Sequence, residues 1–256
     1  MVEVIEIKDK KIPVLDRSAA CIGYFDGFHR GHQKLIAKTV ELSEKNKLVP
    51  TMICFSPDPM DVIAGRKNSH LFPDDVRLHL AEHFGIHRIL SIHFDEKIMR
   101  MDAEDFIHKY LEKMNICFLV CGYDFSFGYS GKGDPDLLKR KADFNTIVIE
   151  EESYLNKKIS STRIKKHIIS GDLAYATELL GFDYCFIVKV VNVCQNGTKW
   201  LISGKLDDND CVMPKDGYEN GFFRIENGVF LIESDHIYTI GDKIILGKNG
   251  IRNEFI

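Results

Sequence analysis

What this 256-residue chain lacks removes several kinds of protein at once. No apolar run approaches the roughly 20 residues needed to cross a bilayer. The opening Met1-Val2-Glu3-Val4 has no basic region leading into an apolar core, so no secretory signal is expected there. The seven cysteines, Cys21, Cys54, Cys117, Cys121, Cys185, Cys194 and Cys211, include no Cys-x-x-Cys pair, and their number is odd. Several sit in apolar, strand-like runs. They read as reduced, mostly buried thiols of a cytoplasmic protein, neither a disulfide frame nor a zinc site. Strong charge of one sign is missing as well. A net charge of -4 argues against a nucleic-acid binder that works through bulk charge. Clusters such as Lys139-Arg140-Lys141 read as solvated surface. There is no internal repeat and no low-complexity segment. His83, His87 and His93 lack metal-ligand spacing, and Cys54 has no basic neighbour in sequence that would make it a nucleophile.

The first two thirds of the chain alternate strand-like and helical segments. Ala19 to Tyr24, Val49 to Phe55, Arg88 to Ile92, Ile116 to Cys121 and Thr146 to Ile149 read as strands. Helical stretches run from Gly31 to about Lys45, Asp74 to Phe84, Asp102 to Met114 and Asp134 to Ala142. Such alternation predicts an α/β fold, a parallel sheet with helices on both faces. The pattern changes near Gly181. Beyond Tyr184 come short β-rich runs separated by turn signals at Asn196-Gly197, Asp216-Gly217, Asn227-Gly228 and Asn249-Gly250. The expected division is therefore 1–181 and 182–256, the second part a small β-barrel or sandwich.

The segment richest in chemistry is Gly23-Tyr24-Phe25-Asp26-Gly27-Phe28-His29-Arg30-Gly31-His32, where the first predicted strand passes into the first helix. Ligands of open α/β sheets bind at the carboxyl ends of strands. There, free N–H groups and the helix dipole favour phosphate. Gly23, Gly27 and Gly31 would allow a sharp turn and close approach of a ligand. His29 and His32, three apart, would share a face of the first helical turn and donate to phosphate oxygens, more strongly when protonated. A glycine-rich turn with two surface histidines is the plain alternative. The joint presence of three glycines, an Asp and two His at one junction argues against it.

A second segment, Ile159-Ser160-Ser161-Thr162-Arg163-Ile164-Lys165, places hydroxyls and cations at a predicted helix start. Ser160 or Ser161 would cap it. Alone it is an ordinary helix cap. Together with the first segment it reads as the other jaw of a triphosphate clamp.

These two segments resemble the nucleotidyltransferase superfamily, marked by a His-x-Gly-His turn and an Ile-Ser-Ser-Thr-x-Ile-Arg helix start. Within it the chain is similar to the adenylyltransferase module of the bacterial bifunctional riboflavin kinase/FAD synthetase family. Phe55-Ser56-Pro57-Asp58-Pro59 resembles that family's Phe-x-Pro-His-Pro. Gly122-Tyr123-Asp124-Phe125-Ser126-Phe127-Gly128 resembles its flavin-associated Gly-x-Asp/Asn-Phe-x-Phe-Gly. Gly171-Asp172-Leu173 through Leu179-Leu180-Gly181 resembles the end of the module. The match is ordered over residues 19 to 181. Tyr24 stands where many members have Asn, Asp58 where His is usual, and Lys158 and Lys165 where Arg is common. Lysine keeps the charge but loses the bidentate fork.

The resemblance implies a Rossmann-like sheet and transfer of AMP from ATP, carried with Mg²⁺, to FMN, giving FAD and pyrophosphate. It implies ATP binding by Gly23, Tyr24, Phe25, Asp26, His29 and His32, and by Ser161, Thr162, Arg163 and Lys165. His29, His32, Arg163 and Lys165 would act in catalysis. Flavin would meet Phe55, Pro57 and Asp58, and Asp124, Phe125, Phe127 and Gly128. No protein side chain is assigned to a metal, and neither nucleic acid nor membrane is an expected partner. Competing readings are a different phosphorylated acceptor, or a non-catalytic flavin-binding protein of the same fold. The family's kinase barrel opens with Gly-x-Pro-Thr-Ala-Asn, which residues 182 to 256 do not contain. Only echoes remain, at Met213-Pro214-Lys215-Asp216-Gly217-Tyr218, His236-Ile237-Tyr238 and Ile251 to Phe255. The tail thus reads as a degenerate kinase-like barrel, retained for stability, for homodimer contacts or for shaping the flavin site.

Overall fold

The computed structural model describes residues 1–8, 12–208 and 210–252. The chain divides into two compact units: Met1–Asn68 with Arg77–Lys158, and Ser69–Val76 with Ile159–Ile256.

The first unit is built on six parallel strands, β1 (Glu3–Ile7), β2 (Ser18–Ile22), β3 (Val49–Ser56), β4 (Arg88–His93), β5 (Ile116–Gly122) and β6 (Asn145–Ile149). Their order is β1-β4-β3-β2-β5-β6. Every residue of β2 is buried, as expected of a central strand covered on both faces. Its side chains alternate. Ala20 and Ile22 join a core with Ile53, Leu90, Phe106 and Leu119, whereas Cys21 is hydrogen-bonded to Thr39 on the opposite side. Thr39 belongs to α1 (Arg30–Asn46), which buries Leu35, Ile36 and Leu42. Next come α2 (Pro59–Ala64), α3 (Asp74–His83), α4 (Glu96–Met99), α5 (Ala103–Lys109) and α6 (Pro135–Lys141). A two-stranded ribbon, β7 (Ser153–Tyr154) with β8 (Lys157–Lys158), closes the unit.

The strand order has a consequence for ligands. From β2 the chain steps outward through β3 to β4, then returns to lay β5 on the other side of β2. The loops after β2 and β5 therefore flank the topological switch point, where open α/β sheets bind ligands.

Two local expectations shift. The first helical stretch beyond Asp102 is not one helix to Met114. α5 stops at Lys109, Tyr110 leaves helical backbone at φ -120° and ψ -67°, and a 3₁₀ turn follows. The predicted strand through Tyr24 ends at Ile22. After β3, Pro59 starts α2, with Asp58 as N-cap; proline suits the first helical position because its missing N–H is not needed there.

The second unit holds α7 (Ser161–Ile169), α8 (Leu173–Leu180) and an antiparallel sheet. Its strands are β9 (Cys185–Asn196), β10 (Lys199–Leu206), β11 (Phe223–Glu226), β12 (Val229–Ser234), β13 (Lys243–Gly247) and β14 (Gly250–Arg252), ordered β11-β12-β10-β9-β13-β14. Turns at Asn196-Gly197, Asn227-Gly228 and Asn249-Gly250 join successive strands, as expected from their sequences. Segment 69–76 belongs here because His70 bridges Cys211 and the buried Tyr184 hydroxyl donates to the Leu71 carbonyl at 2.7 Å. The compact units are thus drawn differently from the expected 1–181 and 182–256, since α7 and α8 count with the tail. Within the echoes of a kinase barrel, His236 to Tyr238 is irregular and Ile251 lies in β14, while 253–255 lie outside the described residues.

Candidate active site

The turn after β2 is shaped by strain and burial. Gly27 and Phe28 both have left-handed backbone, φ 98° and 48°. For Phe28 this costs roughly 1–3 kcal/mol. Its ring is fully buried and stacked on Phe84 at 6.1 Å, and its carbonyl accepts from Gln33 Nε2 at 2.8 Å, which holds the strained residue in place. Asp26 is wholly buried in the same turn.

His29 follows as the N-cap of α1. Its Nδ1 accepts the His32 backbone N–H at 3.3 Å. The ring folds over Gly31, where an added Cβ would lie only 3.2 Å from His29 Cε1. Of the three glycines, Gly27 supplies the left-handed turn and Gly31 the space for an imidazole. A Cβ on Gly23 would make ordinary contacts. The His29 and His32 rings stack with centroids 3.7 Å apart and 14° between planes.

Burial pushes His29 down to about 4, and the Lys158 ammonium adds to this while Asp26 and Asp124 oppose it. Burial, then His29, holds His32 well below the ordinary imidazole value. Both rings are neutral near pH 7. In His29, Nδ1 is occupied as an acceptor, so the proton sits on Nε2, which is left as a donor. His32 Nδ1 is buried with no hydrogen-bond partner among the described residues.

The loop after β5 reaches the same place, as the topology requires. Asp124 is ion-paired with Lys158, and both charges act on His29. The Lys158 ammonium is held above the usual lysine value: burial works against this, and Asp124 and Tyr123 outweigh it. The Tyr123 hydroxyl donates to Glu151 at 2.5 Å, and Lys158 lies 5.2 Å from its ring centroid. Sequence reasoning noted Lys158 only as a departure from Arg and missed that its charge acts on His29.

Tyr24 and Asp58, two further departures, are partners. The Tyr24 hydroxyl is hydrogen-bonded to Asp58; burial, then the Asp26 and Asp58 charges, pushes its ionisation well above the ordinary range. The Arg77 guanidinium lies 6.0 Å from the Tyr24 ring centroid. Asp58 also accepts the Met60 N–H at 2.8 Å as cap of α2.

Beyond these turns the first unit has a cavity of about 520 Å³ with mainly apolar walls. Of the expected flavin residues, Phe55, Phe127 and Gly128 line it; Pro57, Asp58, Asp124 and Phe125 are not among its lining. Phe125 instead stacks on Phe127 at 5.4 Å. Met60, Ile63, Phe94, Met99 and Phe106 add to the apolar wall. They were missed because they are spread over α2, the residue after β4, α4 and α5, with no shared motif.

In the second unit Ser160, not Ser161, caps α7, its Oγ accepting the Arg163 N–H at 3.3 Å. Ser161, Thr162 and Arg163 occupy the first turn and Lys165 the second, so hydroxyls and cations gather at the positive end of the helix, as the sequence predicts. Among the described residues no group of three or more His, Cys, Asp or Glu could hold a metal ion, and no helix is long and apolar enough to cross a membrane.

The family model for FAD synthetase matches residues 11–163. The chain is 35% identical over 189 residues to the bifunctional riboflavin kinase/FMN adenylyltransferase of Buchnera aphidicola (Schizaphis graminum), covering 71% of this chain and 60% of that protein. The Bacillus subtilis protein of the same description is 32% identical over 181 residues, covering 68% of this chain and 56% of its own length. The chain thus spans about three fifths of these relatives. The FAD synthetase of Listeria monocytogenes is 26% identical over 252 residues, 96% of this chain and 94% of that one. A crystal structure described as a macrolide-efflux protein from Streptococcus pneumoniae superposes with a TM-score of 0.82 at 25% identity, covering 95% of this chain and 88% of that one.

Proposed function

The chain belongs to the FAD synthetase family, and from that membership and the geometry above we propose that it is an FMN adenylyltransferase. It would transfer AMP from MgATP to FMN, giving FAD and pyrophosphate. An FMN phosphate oxygen attacks the α-phosphorus of ATP, the bond from α-phosphorus to the bridging oxygen breaks, and pyrophosphate leaves with the electron pair. The attacking oxygen is already ionised near neutral pH, so no protein nucleophile is needed. What the protein supplies is position and charge stabilisation.

The stacked, neutral His29–His32 pair at the switch point carries this reading. A neutral imidazole whose Nδ1 is fixed as a helix cap presents Nε2–H in a set direction. It can stabilise charge growing on phosphate oxygens without first gaining a proton. Lys158, whose charge acts on His29, is a cation that a substrate phosphate could take over from Asp124. Ser161, Thr162, Arg163 and Lys165 would bind the β- and γ-phosphates at the start of α7. The Mg²⁺ would arrive with ATP, bound mainly by phosphate oxygens and water.

The apolar cavity would take the isoalloxazine ring, its volume lying within the ordinary range for small-molecule pockets. Phe55, Phe106 and Phe127 would contact the ring faces and edges. We further propose that the functional division falls near Gly181, with 182–256 a degenerate kinase-like barrel, because the site motifs end with α7 and α8. The test is to incubate the chain with FMN, ATP and Mg²⁺ and follow FAD by chromatography together with pyrophosphate release. Both products in equal amounts are expected. Flavin binding without pyrophosphate would instead favour a non-catalytic protein, and pyrophosphate appearing only with another phosphorylated acceptor would replace FMN as substrate.

A further inference from the structure

The cavity of the first unit is uneven in polarity. Much of its apolar wall comes from the end of β3, from α2 and from the residue after β4. Phe55 meets Phe94 edge-on at 5.8 Å and Phe106 at 6.2 Å, and Phe106 meets Phe127 at 5.8 Å. Met60 and Ile63 share a face of α2, being three apart, and each is 59% exposed beside the cavity. The polar part of the lining is Arg100, Ser126, Tyr129 and Ser130. These residues are brought together because the Tyr129 N–H bonds the Met101 carbonyl at 2.7 Å, which joins the loop after β5 to the end of α4. Among the described residues of the lining, Arg100 alone carries a charge.

Arg100 is the C-cap of α4, its backbone N–H bonded to the Glu96 carbonyl at 3.0 Å. In its side chain, Nε and Nη2 meet Glu96 Oε1 at 3.0 and 2.9 Å, and Nη1 takes part in neither contact. Both partners are largely exposed, so the pair holds the guanidinium only weakly. A planar donor fork on the wall of an apolar cavity suits a flat ligand that is apolar over most of its surface and ends in acceptors. The isoalloxazine ring has that form. Its dimethylbenzene end has no hydrogen-bonding group, and its pyrimidinedione end has carbonyls at C2 and C4. We infer that Arg100 fixes which way round the flavin lies, donating to a pyrimidinedione carbonyl while Met60, Ile63 and Phe94 cover the dimethylbenzene end. This rests on the reading of the cavity as the flavin site. It gives a specificity-determining role to a residue outside both flavin-associated segments, Phe55 to Pro59 and Gly122 to Gly128.

The test is steady-state kinetics of adenylyl transfer by the whole chain, wild type against Arg100→Leu and Arg100→Lys, each checked for Tm. The acceptors are FMN, its 2-thio and 4-thio analogues, and 7,8-dichloro-FMN. Each thio analogue replaces one carbonyl oxygen by sulfur, a weaker acceptor, and the dichloro analogue alters the other end at nearly constant size. In the wild type one thio analogue should have a KM roughly three- to tenfold above that of FMN, and the dichloro analogue should stay within about twofold. Arg100→Leu should raise KM for FMN by roughly the same factor, lose the thio penalty, and keep KM for ATP and Tm near wild type. Arg100→Lys, which keeps the charge without the fork, should fall between the two and serves if Arg100→Leu folds poorly. If the wild type makes FAD and Arg100→Leu has the same KM for FMN, the inference is overturned and the flavin reading of the cavity stands. Absence of a thio penalty in the wild type would overturn it too. So would a raised KM in Arg100→Leu with the penalty undiminished, which would place Arg100 on the FMN phosphate instead of the ring. No FAD from the wild type would remove the proposed activity, and the inference with it.

Discussion

His29 does two things with its two nitrogens. Nδ1 closes the start of α1, and in the proposed reaction Nε2 would serve the ligand. The two roles separate in His29→Asn, because Asn caps helices well and lacks a second nitrogen at that reach. Its turnover should fall roughly a hundredfold, as for loss of one preorganised donor, with α1 still capped. His29→Ala should lose the cap as well, costing about 1 kcal/mol of stability. The buried ring also links folding to pH. Its ordinary value is 6.5 and its folded value about 4, so between these the unfolded chain binds more protons. The stabilisation is present above pH 6.5 and is lost as pH falls toward 4. From pH 7 to pH 5 this amounts to about 2 kcal/mol from His29 alone. Thermal unfolding should therefore occur at lower temperature at pH 5 than at pH 7, and less so in His29→Asn; equal acid sensitivity in both proteins would contradict it. Tyr24 and Asp58 make a second residue-scale case. Each departs from the family pattern, yet each partners the other. Tyr24→Phe and Asp58→Asn should each weaken substrate binding severalfold, and the double variant should cost no more than the larger single change. Full additivity would show that the pair is not coupled.

Among elements, the loop from β5 to α6 is tightly constrained at Gly128. Gly128 lies at φ 71°, lines the cavity, and a Cβ there would stand 2.7 Å from the Ala103 Cα. Backbone, unlike a side-chain end, cannot swing aside. Gly128→Ala should destabilise the protein by roughly 1–3 kcal/mol and raise KM for FMN more than for ATP, measured by denaturant unfolding and initial rates. The same loop shows where sequence could be read and where it could not. The turn after β2 was legible because its chemistry is local: Gly, Asp and His sit within ten residues of one strand-to-helix junction. The strands β2 to β6 were legible because they are short apolar runs bounded by turns. β1 was not, since it is an edge strand with Glu3 and Glu6 exposed. Asp124 was read with the flavin ring because its motif neighbours are aromatic. Its partner Lys158 is 34 residues away, and only the return of β5 beside β2 brings the pair to His29.

For the whole molecule the question is what the tail does. The six antiparallel strands close over an aromatic core in which Phe186, Phe223 and Phe230 lie 5.3 to 5.9 Å apart. Tyr184 packs on Phe186 at 5.1 Å and donates to the Leu71 and Val212 carbonyls. Such a core accounts for the folding of the tail without any ligand. Around it, Met213 to Tyr218 survives as a structural segment: Lys215 N–H bonds the Ile169 carbonyl at 3.2 Å, and the Tyr218 ring lies where a Cβ on Gly171 would be 2.8 Å away. These contacts tie the tail to the end of α7, a use that needs no kinase chemistry. Transfer of phosphate to a hydroxyl would need MgATP held in the barrel, and the Thr and Asn that the family uses for this have no counterpart in 182–256. This chain should therefore make FAD from FMN but not from riboflavin. Riboflavin, ATP and Mg²⁺ incubated with it should yield neither FMN nor FAD on chromatography, while FMN in place of riboflavin yields FAD. Product from riboflavin at a rate near that of FAD formation from FMN would show that the barrel binds MgATP through other residues. In that event Asp207, Asp208 and Asp210, carboxylates that follow β10, would be the first to replace.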